Sequence, residues 1–480
     1  MKKVNLLAAA VVAASLMAPA ANAINADFNG YFRTGVFNKH FSKTVGDVGR
    51  LGNENDTYAE LFGHFGVYNA DDTEWTLNYT LASSSQYSRS WQSTNNFNVK
   101  GNAINGYYLD ENNEGVRFAN TELFVSAKGV VAFDKDAVVW IGKRYYREDS
   151  HLTDWYWRDV SGNGTGIENV QVGPGKFKAA WFRRDDTMDF RTTDDSAINN
   201  VELYQKDGKW AFAVPSSAKY IGTHVIDVQY DVPAWDKANL NFGVTAILPQ
   251  RHTSEYASYN FKPAADVSNG YIYTVKYNQG HALGWNNAVL RLAHGSNAAT
   301  WSTAGTQTWL DSTGASNSAY RWEFIDFGQL NFTDNISTLY HFYTTLGGGY
   351  DHNLTNVDKT KAIQLVVRPQ YKLTKMTRVM LEAGFISKTT EYTNGNSVNQ
   401  QSQKVTLAYG ITPDAGNAWS RPELRFFATY KHCNEEYGSF HTYDAPSYLK
   451  AKDDGTFEVV SEGRGRQHDV IFGAQAEVWF

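Results

Sequence analysis

Four aromatic residues share their side of the chain with charged or amide side chains. Tyr31 stands two places before Arg33, Tyr58 two before Glu60, and Trp479 follows Gln475 and Glu477 at the same parity. Trp419 precedes Glu423 and Arg425, again at the same parity. Residues two apart in an extended strand point the same way. Each set therefore presents a ring face beside a charged hydrogen-bonding group. That pairing suits a pyranose: its C–H faces stack on aromatic rings and its hydroxyls bond to Arg, Asp and Glu. The competing reading assigns such rings to an interfacial aromatic girdle. Their shared parity with charges favours the first reading.

A second concentration of chemistry runs from Gly142 to Gly166, where Arg147, Asp149, His151, Asp154 and Tyr156 crowd together. It follows a plausible strand at Ala137–Ile141 and reads as a loop that can fold inward and narrow a channel. His151 with Asp149 and Asp154 has the look of a metal or acid–base cluster. No second His or Cys stands at ligand spacing, so a metal is not expected. Gly162-Asn-Gly-Thr-Gly166 follows no strand-to-helix start and reads as a glycine-rich loop rather than a phosphate loop. Paired acids such as Asp71-Asp72 and Asp185-Asp186 read as solvated turns. Neither Gly-x-Ser-x-Gly nor His-Glu-x-x-His occurs, and Cys433 is the one cysteine. No catalysis and no cofactor are expected.

Strands must position these residues. In the last eleven residues Val470, Phe472, Ala474, Ala476, Val478 and Phe480 alternate with a mostly polar or small set. Such a run, ending on an aromatic, marks an outer-membrane barrel strand. A half-buried strand of a soluble sandwich is the weaker alternative. The same period recurs at Phe28–Val36, Ala59–Val67, Trp75–Leu81, Val225–Tyr230, Leu240–Leu248, Tyr271–Tyr277, Ala288–Ala293, Ile363–Leu373, Arg378–Ile386, Val405–Ile411 and Leu424–Tyr430. No helical period persists. With ~9–11 residues per membrane strand and long connections on one side, the chain holds roughly 16 to 18 strands. A barrel that wide encloses water rather than a packed core.

Composition agrees. The 480 residues carry 44 Lys+Arg against 50 Asp+Glu, and 15% are aromatic. A mildly acidic balance is wrong for a nucleic-acid binder. One cysteine excludes a disulfide framework. Mean hydropathy of −0.47 argues against a helical membrane protein, though not against a barrel with a polar lumen. At the N-terminus Lys2 and Lys3 precede an apolar segment, Leu6 to Met17, and Ala21-Asn22-Ala23. This is the pattern of a secretory signal peptide over residues 1–23, leaving one domain at 24–480.

The stretches Phe28-Asn-Gly-Tyr-Phe-Arg33, Arg50 to Glu60, Trp140 to Arg147, Gly166 to Asn169, Trp419 to Tyr430 and Phe472 to Trp479 resemble the maltoporins. These are trimeric sugar porins of Gram-negative outer membranes. The resemblance implies an all-β, antiparallel transmembrane barrel of 18 strands with an inward constriction loop. It implies an aromatic slide along the channel made of Tyr31, Tyr58, Trp91, Trp285, Trp419 and Trp479. Trp285 stands where the family has phenylalanine, and Trp91 where a tryptophan reaches into the neighbouring subunit. Polar partners would be Arg33, Arg50, Glu60, Arg117, Arg147, Asp149, His151 and Asp154, with Tyr156 at the constriction. Asn55 takes the place of one cysteine of a family pair, so that bridge is not expected.

The function implied is facilitated diffusion of maltose and maltodextrins. The implied partners are outer-membrane lipid, lipopolysaccharide and two further copies of the chain. The alternatives are a porin for another sugar, such as sucrose or β-glucosides, and a general diffusion porin.

Overall fold

The computed structural model describes residues 25–38, 48–54, 57–85, 117–153, 156–189, 202–206, 209–213, 218–249, 268–295, 297–298, 317–352, 355–434, 436, 448–451, 457–460 and 467–480. Eighteen strands form one closed sheet. They are β1 Ala26–Phe37, β2 Thr57–Ala70, β3 Thr73–Ser85, β4 Arg117–Lys128, β5 Val138–Arg144 and β6 Gly162–Val172. Next come β7 Gly175–Asp189, β8 Ala218–Pro233, β9 Ala238–Pro249, β10 Gly270–His281, β11 Gly284–Gly295 and β12 Tyr320–Asn331. The last six are β13 Ile336–Gly348, β14 Val357–Lys372, β15 Thr377–Tyr392, β16 Ser397–Ile411, β17 Glu423–Cys433 and β18 His468–Trp479. Each pairs antiparallel with its neighbour in sequence. The last returns to the first, with Tyr31 opposite Trp479 and Phe37 opposite Gly473. Closure leaves none of these eighteen strands with an open edge, as a wall in lipid requires.

Connections alternate in length. Between β2 and β3 lie only Asp71 and Asp72, both at positive φ (54° and 60°). This is the tight turn expected of that acid pair. The connections after β1, β3 and β17 are long. One rim therefore carries short turns and the other long loops, the usual asymmetry of outer-membrane barrels. Strands run from 7 residues in β5 to 16 in β8, β14 and β15. Most exceed the length expected from bilayer thickness, because the hairpins go on pairing past the apolar band.

Period-2 burial matches the sequence pattern. Leu424, Phe426 and Tyr430 of β17 are exposed on the outside, while Glu423, Arg425, Thr429 and Lys431 point inward and are buried. Tyr68, Trp75, Phe133, Trp235, Phe332 and Phe480 stand exposed near the short-turn rim as an aromatic girdle, where amphipathic rings meet the headgroup level.

Among the described residues, two elements leave the wall and enter the lumen. Residues 145–161, between β5 and β6, include a hairpin that pairs Arg147 with Asp159 and Glu148 with Arg158, apart from the barrel sheet. This is the inward constriction expected of that stretch. Residues 48–54 form a second inward segment, which the sequence does not announce. It packs on β15 and β16: Lys404 Nζ donates to Gly49 O (2.6 Å) and Leu51 O (2.8 Å), and Leu51 N donates to Glu382 (2.9 Å).

Two readings are corrected. Gly162 to Gly166 opens strand β6 and is not a loop. A Cβ on Gly166 would lie 2.8 Å from Trp140 Nε1, so the glycine makes room for that buried indole. Asp185-Asp186 lies within β7, paired with Gly222 and Ile221, and is not a turn. The segment 1–23, with its expected signal peptide, lies outside the described residues.

Candidate functional site

The aromatic residues come from distant parts of the chain and meet because the barrel closes. Tyr31 in β1 lies between Tyr58 of β2 and Trp479 of β18. Its ring centroid is 6.0 Å from Tyr58 and 6.5 Å from Trp479, stacked on the latter at 21°. Trp419, in the turn before β17, and Trp285, at the start of β11, are 6.4 Å apart. Trp419, Trp479 and Tyr31 share one recess of about 330 Å3, which joins the two groups. The five rings thus follow the wall from the long-loop side at Tyr58 to the short-turn side at Trp285. Gly284 (φ +142°) sets Trp285 in place: a Cβ there would fall 2.0 Å from the Gln329 carbonyl oxygen.

Polar contacts fix four of the five rings. Tyr58 donates to Glu60 (2.6 Å) and Tyr31 to Glu477 (3.0 Å). Trp419 Nε1 donates to Gln329 (2.9 Å), and its ring packs beside Leu152, Leu339, Val366 and Ala418. The Arg421 guanidinium lies 4.0 Å above Trp479 and that of Arg33 5.0 Å above Tyr58, both in cation–π range.

The expected polar residues gather around this row. Arg33 and Arg50 both bond Glu54 at 2.7 Å, and Arg50 reaches the Tyr31 hydroxyl at 3.4 Å. Arg147 sits 3.8 Å from Glu60, with its guanidinium over Tyr145 (3.5 Å) and Tyr156 (4.1 Å). His151, at φ +65°, turns its ring edge to Trp419 at 5.1 Å and bonds Asp149 at 2.9 Å. Arg117 opens β4 opposite Ser84; only its backbone is described. Trp91, Asp154 and Asn55 lie outside the described residues.

The hairpin reaches the wall on two sides. Arg158 pairs with Asp227 in β8, both buried, and Thr245 donates to the same carboxylate at 2.7 Å. Arg291 of β11 bonds both the Trp157 carbonyl and Glu323. On the slide side, Arg50 N donates to Leu152 O at 3.1 Å.

Charge states in the inward segments follow from these contacts. Burial pushes Glu54 up, but the guanidinium groups of Arg50 and Arg33 outweigh it and hold the carboxyl below its ordinary range. Burial likewise opposes ionisation of Asp149, and His151, Arg50 and Arg147 together overcome it and hold the carboxyl below its ordinary range. Burial raises the Tyr156 hydroxyl to about 12, so it stays a hydrogen-bond donor at neutral pH. Arg421 is lowered by burial to about 10 and remains a cation there.

Several residues of the site are absent from the sequence reading. Glu54 joins Arg33 to Arg50, Gln329 holds Trp419, and Arg368 and Arg421 line the recess. Parity within Ile363–Leu373 points to Arg368, because Ile363 and Leu365 face out. No local signal marks Gln329, since its partner is 90 residues away.

Comparison with known proteins agrees with this architecture. The family model described as LamB porin matches residues 26–480. Maltoporin 1 of Klebsiella pneumoniae is 32% identical over 437 residues, which is 90% of this chain and 92% of that protein. Maltoporin 2 of Yersinia pestis is 31% identical over 434 residues, 88% of this chain and 92% of that protein. Among solved structures, OccD3 of Pseudomonas aeruginosa aligns over 95% of this chain and 90% of that one, with TM-score 0.42 and 8% identity. The closed 18-strand barrel and the match across the chain together place this protein in the LamB porin family of outer-membrane channels, and it is a porin rather than an enzyme.

Proposed function

We propose that the channel carries maltose and maltodextrins by facilitated diffusion, and that the rings from Tyr58 to Trp285 are its slide. The observation that supports this is the aromatic row, in which Tyr58, Tyr31 and Trp479 follow one another at 6.0 and 6.5 Å, Trp419 and Trp285 lie 6.4 Å apart and one recess joins the two groups, flanked by Arg33, Arg50, Glu60 and Arg147. A glucosyl chain enters from the long-loop side and keeps its ring faces on the aromatic row. Its hydroxyls exchange bonds between guanidinium donors, carboxylate acceptors and the neutral Tyr156 hydroxyl. Several similar weak sites let the sugar advance without trapping it, because no single step breaks all contacts at once. The basic, apolar and small-residue pattern of the N-terminus supports a leader at residues 1–23, and the family resemblance supports a homotrimer set in outer-membrane lipid and lipopolysaccharide. A heat-sensitive trimer band on a denaturing gel tests the assembly.

Liposome swelling tests the transport reading. Maltotriose should enter faster than its size predicts relative to sucrose. Rates that follow size alone would refute the sugar-specific reading and leave a general diffusion porin.

A further inference from the structure

The wall behind the slide carries more positive charge than sugar hydroxyls require. On β14 to β18 and the turn before β17, five cations share three carboxylates. Arg368 (2.6 Å) and Lys404 (2.8 Å) both bind Glu382. Arg378 (2.6 Å), Arg425 (2.6 Å) and Arg421 (3.6 Å) surround Glu423. Arg421 (2.6 Å) and Arg425 also share Glu477. Lys404 and Arg378 are sealed in the wall, whereas Arg368, Arg421 and Arg425 line the recess that holds Tyr31, Trp419 and Trp479. Among the described residues, the carboxylates lining that recess are Glu477 and Glu54, and Glu54 already holds Arg33 and Arg50. Asp149 stands behind His151 and bonds it.

We propose that this recess takes acidic saccharides, pyranoses carrying a carboxylate such as uronates, in addition to neutral ones. This deepens the slide reading and rests on it. The ring lies on Trp419 or Trp479, and the carboxylate accepts from the guanidinium groups of Arg368 and Arg421. Cations that outnumber the carboxylates they share, beside a low-dielectric wall, gain from an added anion, and guanidinium–carboxylate bonds outrank those to neutral hydroxyls. The aromatic faces select a sugar acid over a bare inorganic anion, which uses the arginines alone. A volume of about 330 Å3 falls within the range of small-ligand sites.

The test is block of ion current through the full-length channel in a planar bilayer. The probes are maltotriose and trigalacturonate, both chains of three α-1,4-linked pyranoses. In about 0.1 M KCl, trigalacturonate should half-block at roughly ten-fold lower concentration than maltotriose. The ratio should shrink toward one in about 1 M KCl, where charges are screened. It should shrink likewise in Arg368→Gln, where Lys404 still holds Glu382, and in Arg421→Gln. Equal or weaker block by trigalacturonate, with maltotriose still blocking, overturns this proposal alone. A ratio that neither variant nor salt changes also overturns it. Absence of block by either sugar overturns the slide reading as well.

Discussion

Trp419 offers the sharpest test of the slide. One side of its indole packs against Leu152, Leu339, Val366 and Ala418, its nitrogen is held by Gln329, and its free side faces the recess. A pyranose laid on that side removes about 40 Å2 of apolar surface from each partner. At ~25 cal/mol per Å2 this contributes about 2 kcal/mol. Alanine keeps a small part of the contact, so Trp419→Ala should cost about 1.5 kcal/mol, roughly ten-fold in maltotriose affinity. The assay is titration of ion-current block in a planar bilayer. The open-channel current should change little, because the ring is one patch of a wide wall. Trp322, 46% exposed on the outer face, is the control, and Trp322→Ala should leave block unchanged. A half-blocking concentration for Trp419→Ala that matches wild type would refute the reasoning. So would an equal loss in the Trp322 variant, which would trace the effect to general destabilisation.

Other outcomes follow from the anchors of the inward segments. Asp227→Ala strands buried Arg158 without its carboxylate, a loss of about 3–5 kcal/mol; single-channel conductance should rise and trypsin should cut within 145–161. Glu54→Gln replaces the carboxylate shared by Arg33 and Arg50 with a neutral amide, loosening both arginines, and should weaken maltotriose block by about three- to ten-fold, read in the same bilayer assay. The Glu54 and Asp149 carboxyls are held below their ordinary range, so their stabilisation is full above the unfolded value near about 4 and fades as pH falls through the lower folded value. Sugar block should therefore be flat from neutral pH down to about 5 and weaken in stronger acid. Gly284→Ala drives a Cβ against the Gln329 carbonyl in a positive-φ conformation; the yield of folded barrel, measured by heat-modifiable gel mobility, should drop.

Much of the wall is legible from alternation alone, because one lipid face and one water face impose opposite demands on successive side chains. The terminal strand, the inward Tyr31 and Arg33, and the inward Glu423 and Arg425 all follow from parity. Strands β12 and β13 escape that reading. Tyr320–Asn331 and Ile336–Gly348 place Tyr343, Phe327 and Ile325 inward beside polar groups, since the hairpin covers this part of the lumen. Once Trp157 packs there, an apolar residue can face in, and the contrast between faces fades. The glycines of 162–166 mislead for a related reason: Gly166 makes room for the Trp140 indole and Gly164 for the Phe182 ring, within a strand and not a turn.

By itself the sequence determined the strand alternation, the tight turn at Asp71-Asp72 and which aromatics share a side with charges, because these depend on neighbours one or two places apart. Only the tertiary structure decided that Tyr31 meets Trp479, that Trp419 meets Trp285, and that residues 48–54 return to the wall through Lys404 and Glu382. These contacts link residues up to 448 positions apart. They exist only once the last strand pairs with the first, and closure is a property of the whole sheet that no local pattern carries.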